Sequence, residues 1–107
     1  YHVRHDDRAG PCLAFRIEVE GRVIAFSGDT EWTDALVAVG QEADLFICEA
    51  YVRERAVKAH MSLAMLAQHL PKIRPKRLVL THLSDDMLGH RAEVPYQIAE
   101  DGMVIEL

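Results

Sequence analysis

One run constrains this chain more than any other: from Asp44 to Cys48 the sequence reads Asp-Leu-Phe-Ile-Cys, with no polar residue interrupting its apolar part. A strand with one wet face alternates apolar with polar positions, so an unbroken run of this length predicts a strand covered on both faces and central in its sheet. Arg77 to Thr81, with Leu-Val-Leu at its centre, is another apolar strand.

The remaining segments supply the neighbours such strands need. Residues 12–19 and 22–27 are two β-rich runs joined through Glu20-Gly21-Arg22, a short Gly-containing connection that favours an antiparallel hairpin. Leu36, Val37, Val39 and Ala43 recur at helical spacing after Thr33 or Asp34 as N-cap, and Gly40 ends that helix. Tyr51 to Ala59 reads as a surface loop or short helix. Ser62 to Leu70 then places Leu63, Leu66, Ala67 and Leu70 on one helical face, with Pro71 and Pro75 bracketing the exit. Tyr1 to His5 opens as a strand, and Met103 to Leu107 closes as one after the Asp101-Gly102 turn. Strands first and helix–strand alternation afterwards predict an α/β fold with helices on one face of a mixed sheet. No internal repeat or low-complexity linker breaks the chain.

With 107 residues, half of them apolar, the chain has material for one globular unit with a core. The formal charge is −5 and the basic residues are scattered, which excludes the concentrated basic surface of a dedicated nucleic-acid binder. Cys12 and Cys48 each sit in an apolar run that reads as a buried strand, too far apart in sequence for a metal-binding spacing. Reduced core cysteines fit a cytoplasmic protein. No apolar stretch approaches the roughly 20 residues that span a bilayer, so a soluble protein with no membrane partner is expected. The chain starts at Tyr1 rather than at a methionine, as a removed leader or an excised fragment would.

Four groups able to bind metal or move protons, His5, Asp29, Glu49 and His82, each fall just beyond an apolar strand. Strand ends are where ligands gather in sheets with helical crossovers. Asp29 lies in Phe-Ser-Gly-Asp-Thr, where its two oxygens suit it to bridge two cations, although an aspartate after Gly28 also suits an Asx-turn or N-cap. His82 ends Leu-Val-Leu-Thr-His, and neutral imidazole is the commonest nitrogen ligand of zinc; a lone histidine there also fits a surface or core role. His60 precedes Met61-Ser62-Leu63 at the start of a helix, where free N–H groups favour a phosphate and where a protonated imidazole can donate to a leaving oxygen; a solvent-exposed loop histidine is the plain alternative. His5 shares a strand face with Val3, while His2 points to the other.

Taken in order, these segments resemble the metallo-β-lactamase superfamily, in the branch that includes ribonuclease Z and related phosphodiesterases. The matching pieces are His5, Leu-Ala-Phe-Arg-Ile-Glu, Ile-Ala-Phe-Ser-Gly-Asp-Thr, Ala-Asp-Leu-Phe-Ile-Cys-Glu-Ala, His60-Met-Ser and Leu-Val-Leu-Thr-His82, and they cover nearly the whole chain. The resemblance implies the C-terminal half of an αββα sandwich, so that residues 1–107 form a partial domain. It also implies two divalent metal ions, zinc first with manganese or iron as alternatives. His5 would bind one, Asp29 would bridge both and His82 would bind the other, while His60 contacts the scissile phosphate or donates a proton and Glu49 supports from behind. Trp32, just past Asp29, either walls the pocket or joins the core, and His2, His69 and His90 match nothing.

Two departures qualify the resemblance. The family's His-x-His-x-Asp-His motif, which supplies most ligands of both metals, is absent from these residues and lies upstream of them in the family, so the 107 residues alone are expected to bind zinc weakly and to be inactive. The Val-Glu-Gly-Arg-Val hairpin is short where many ribonuclease Z enzymes insert a transfer-RNA-gripping arm, which argues against transfer RNA and for a small phosphodiester or ester. The expected activity is phosphodiester hydrolysis by a metal-bridging hydroxide. Thioester or lactone hydrolysis on the same fold is an alternative. Another is a non-catalytic half-domain that forms a homo-oligomer or associates with the missing N-terminal half, because half a sandwich leaves an apolar sheet face uncovered.

Overall fold

A computed structural model describes residues 1–107. Its one sheet contains β1 (Phe15–Val19), β2 (Arg22–Phe26), β3 (Leu45–Glu49), β4 (Leu78–Thr81) and β5 (Gln97–Ile98), adjacent in sequence order. β1 and β2 form the antiparallel hairpin, turning at Glu20 and Gly21 with positive φ at both, and β2 to β5 run parallel. The expected central strand, β3, has four of its five residues buried.

Parallel neighbours require crossovers, and three helices provide them: α1 (Ala35–Gly40), α2 (Leu63–Ile73) and α3 (Asp85–Gly89). Phe46, Cys48 and Leu80 on one sheet face join Leu36 and Val39 of α1, Leu66 and Ile73 of α2, and Met87 of α3 in a single core cluster. At Gly40 a Cβ would stand 2.8 Å from Ile73 Cγ2 and 3.0 Å from the Phe46 ring, so α1 reaches α2 and β3 this closely only with glycine. Ser62 caps α2, its Oγ accepting from Met65 N at 3.1 Å.

The hairpin turns its apolar side away from the helices. Arg16 Nη1 donates to the carbonyls of Val39 and Gln41 at 3.0 Å each, which puts the even positions of β1 on the helix side. Phe15, Ile17, Val19 and, across the ladder, Phe26 therefore face outward and are 39–53% exposed. The helices thus cover one sheet face, as expected, and the other face is apolar and open along β1 and β2.

Four expectations are corrected. Met103–Leu107 forms no strand: Gln97 and Ile98 take the open edge of β4, and Val104 is left 84% exposed. Strand preference is realised only where an edge is free to pair. Pro71 lies inside α2 instead of ending it, because the helix continues to the fully buried Ile73 before Arg74 turns left-handed at φ 50° and closes it on Leu70 O. The helix loses one late hydrogen bond at Pro71 and keeps a core contact. Cys12 is half-buried ahead of β1, and only Cys48 is a core residue, its thiol pushed up to about 12 by burial. Tyr1–His5 is tied to the body by single bridges, His2 to Leu13 and Arg4 to Glu31, in place of a continuous ladder. No helix is long and apolar enough to cross a membrane.

Candidate metal centre

Because β2, β3 and β4 are parallel, their C-terminal ends share one edge of the sheet, and Asp29, Glu49 and His82 all emerge there. Backbone bonds bring the N-terminal segment alongside: Arg4 N donates to Thr30 Oγ1 at 3.0 Å and Glu31 N to Arg4 O at 2.9 Å, delivering His5.

The turn that carries Asp29 is built for one conformation. Gly28 has φ +62°, and a Cβ on it would stand 2.8 Å from the Leu13 carbonyl oxygen. Ser27 Oγ donates to Gly28 O at 2.7 Å and accepts from Glu49 N at 3.0 Å, which ties the turn to β3. Asp29 then projects its carboxylate toward His82, with Oδ2 3.7 Å from Nε2 and both side chains near 42% exposed. His82 itself is held at φ 55°, a left-handed conformation that a bulky residue adopts only when its surroundings impose it.

Glu49 is fully buried beneath this cluster. Its Oε2 accepts from Thr30 N at 2.8 Å and Met61 N at 3.3 Å, and its Oε1 meets His60 Nδ1 in a short contact. Burial pushes the Glu49 carboxyl above the usual glutamate range, against the pull of the Thr30 amide and the His60 ring. His5 is oriented in a comparable way, Nδ1 donating to Ala59 O at 2.8 Å. A carbonyl can only accept, so Nδ1 carries the proton and Nε2 keeps its lone pair free, the arrangement typical of metal-ligating histidine. Ala59 is left-handed at φ 70°, and its N–H is fixed by Glu31 Oε2 at 3.2 Å.

The structure therefore brings His5, Asp29, His60 and His82 together. Ring centroids of His60 lie 5.1 Å from His5 and 5.3 Å from His82. Ligand atoms of Glu49, His60 and His82 lie within 4.8 Å of one another, but both Glu49 oxygens already serve other donors, so Glu49 orients His60 and is a poor ligand. The donor set suits a divalent ion such as zinc. Two ligands about 2.1 Å from one tetrahedral ion stand about 3.4 Å apart, close to the Asp29–His82 separation. Beside the cluster opens a cavity of about 530 Å³ lined by His5, Asp6, Asp7, Arg8, Lys58, Ala59 and His60.

Trp32 does not wall that cavity. It stacks on His69 at 3.7 Å and packs against the core, which also gives His69 a structural place. Sequence reasoning missed Tyr51, whose ring lies against both His60 and His82. The signal available was its position two residues after Glu49 at a strand end.

Comparison with known proteins bears on the family and the fold. Residues 1–83 match the family described as the beta-lactamase superfamily domain. Ribonuclease Z of Bacillus velezensis is 36% identical over 70 residues, 61% of this chain and 23% of that protein. Ribonuclease Z of Natronomonas pharaonis is 32% identical over 106 residues, 81% of this chain and 33% of that protein. Among solved structures, the metallo-beta-lactamase fold protein YhfI of Bacillus subtilis superposes with a TM-score of 0.80 at 23% identity, over 99% of this chain and 48% of that one. The short form of human tRNase Z gives 0.74 at 30% identity, over 99% and 41%. The chain thus spans about a quarter to a third of these curated relatives and just under half of the two solved structures. Relatives named ribonuclease Z and tRNase Z weaken the argument against transfer RNA that was drawn from the short hairpin. With a family match over residues 1–83 and the metallo-β-lactamase fold along the whole chain, the protein belongs to the beta-lactamase superfamily.

Proposed function

We propose that this chain contributes to a metal-dependent hydrolase that cleaves phosphodiesters. The observation that carries the reading is a run of neighbouring groups at one sheet edge, in which the Asp29 carboxylate lies 3.7 Å from His82, the His82 ring 5.3 Å from His60 and the His60 ring 5.1 Å from His5, with His60 held by buried Glu49. His5, Asp29 and His82 would hold two divalent ions, zinc first, with Asp29 shared between them. Bound there, such ions supply Lewis-acid stabilisation and an acidified water.

The chain's own residues position part of that site. The Gly28 turn and the left-handed His82 backbone aim the two exposed ligands at each other. Glu49 fixes the His60 ring through Nδ1, leaving Nε2 to contact the scissile phosphate or to donate a proton to the departing oxygen. Relatives named ribonuclease Z favour a phosphodiester over a thioester or lactone. The test is hydrolysis of a bis-aryl phosphate beside a thioester by the full-length protein supplied with zinc or manganese, together with elemental analysis. Absence of bound metal with no phosphodiester cleavage refutes the reading, and preference for the thioester redirects it.

A second reading, a half-domain that pairs with itself or with a complementary half, is favoured by the open apolar face of Phe15, Ile17, Val19 and Phe26. A stable monomer at high concentration in light scattering argues against it.

A further inference from the structure

We propose that the aromatic ring of Tyr51 is a positioning residue that sets the spacing and tilt of the His60 and His82 imidazoles. The inference rests on the site reading given above and adds to it a residue that the sequence did not single out.

Tyr51 leaves the end of β3 and is clamped by its backbone to both histidine-bearing loops. Its N–H donates to Met61 O at 2.9 Å, one residue past His60, and its carbonyl accepts from Ser84 N at 2.9 Å, two residues past His82. The ring repeats that bridge. Its centroid lies 4.5 Å from His60 and 5.4 Å from His82, with interplanar angles of 26° in both pairs, and the two imidazoles are 5.3 Å apart. Three rings with mutual centroid distances in the stacking range form a triangle in which no imidazole can swing without displacing tyrosine. His60 has a second anchor in Glu49. His82 has Asp29 at 3.7 Å, beyond hydrogen-bond reach, and otherwise the rings of His60 at 5.3 Å and Tyr51 at 5.4 Å, of which Tyr51 is the one also tied by its backbone to the His82 loop, so before any ion binds these two faces hold the His82 plane.

No hydrogen bond engages the Tyr51 hydroxyl, so the ring carries the role and phenylalanine should replace it. Groups that orient a metal-binding imidazole typically change metal affinity by roughly 10–100-fold when removed.

The experiment compares Tyr51→Phe and Tyr51→Leu in the full-length protein by two readouts. Cobalt(II) affinity is measured by titration, and the side-chain resonances of His60 and His82 are recorded in metal-free protein, where the neighbouring ring shifts them. Tyr51→Phe should match the parent in both. Tyr51→Leu, which keeps bulk without a flat face, should fold, lose at least about tenfold in cobalt affinity and move both imidazole resonances. Unmoved resonances in Tyr51→Leu overturn the proposal whether or not cobalt binds. So does unfolding of Tyr51→Leu beside a folded Tyr51→Phe, because the ring would then be a packing group. Failure of the parent protein to bind cobalt counts against the metal reading alone, and the metal-free resonances still decide the role of Tyr51.

Discussion

Replacing Gly28 with alanine tests whether one turn supports both the fold and the site. Two penalties combine there. At φ +62° an L-residue sits in the left-handed region, which costs about 1–2 kcal/mol. The new methyl also meets the Leu13 carbonyl oxygen at 2.8 Å, and a backbone group cannot rotate aside, so overpacking of about 1–3 kcal/mol applies. Lower entropy of the unfolded chain returns about 0.4–1 kcal/mol. The net loss is about 1–4.5 kcal/mol, which at a urea slope of about 1–2 kcal/mol/M lowers the unfolding midpoint by about 0.5–4.5 M. Gly21→Ala separates the terms, since Gly21 in the hairpin turn has φ +77° with nothing within 4 Å of its added Cβ and bears a dihedral cost without the clash. Relief of the Leu13 contact from the Gly28 side moves Asp29, so Gly28→Ala should also weaken divalent-metal binding, whereas Gly21→Ala should not. Equal midpoints for the two variants would refute the reasoning.

Other perturbations probe separate parts of the structure. Asp44 accepts from Val23 N at 2.8 Å and Lys76 Nζ at 3.0 Å, and these partners hold its carboxyl below 3.8. Its stabilising effect is therefore present above pH 3.8 and lost as pH falls through the lowered folded value; urea midpoints of the parent and Asp44→Asn should differ at pH 7 and converge in strong acid. Ser62→Ala removes the α2 cap and should cost about 1 kcal/mol by urea unfolding. Phe46→Ala empties the largest fully buried side chain and should cost about 3–5 kcal/mol in the same measurement. In the phosphodiesterase assay His60→Ala should lower kcat by about 10²–10⁴-fold, and Glu49→Gln by a smaller factor with little change in KM, because it alters only how His60 is held.

The parts of the fold that were legible in the sequence are those whose pattern is set locally. Leu45–Cys48 and Leu78–Leu80 announce covered strands because both their faces are wrapped by the chain itself. The strand-end residues were legible for a related reason: parallel strands must end together, so polar residues after apolar runs collect at one edge. Other features depend on partners that periodicity cannot name. Phe15, Ile17 and Val19 alternate with Arg16 and Glu18 as a half-buried strand should, yet the helix takes Arg16 and the apolar side faces out. Met103–Leu107 has strand-like residues yet pairs with no strand, the edge of β4 being taken by Gln97 and Ile98. Tyr51 gave only its position after a strand end, since its contacts with His60 and His82 depend on two loops that meet only in three dimensions.

The buried polar residues point to the same end of the sheet independently of the proposed ligands. Burying a polar group is unfavourable unless it is fully hydrogen-bonded, so a small domain places few of them inside. Here they are Ser27, Thr30, Glu49 and Ser62. Ser27 locks the turn that presents Asp29, and Thr30 receives the backbone of Arg4 beside His5. Glu49 holds His60, and Ser62 caps the helix that starts at Leu63, three residues after His60. Each lies in the scaffold of one converging side chain, and three of them are bonded to one another through Thr30 N to Glu49 and Glu49 N to Ser27. Fold stability alone gives no reason to gather these groups at one end of the sheet. Their concentration is what a site that must hold exposed ligands rigidly requires, and replacing Ser27 with alanine should accordingly disturb metal affinity more than the loss of one hydrogen bond, about 1 kcal/mol, disturbs unfolding.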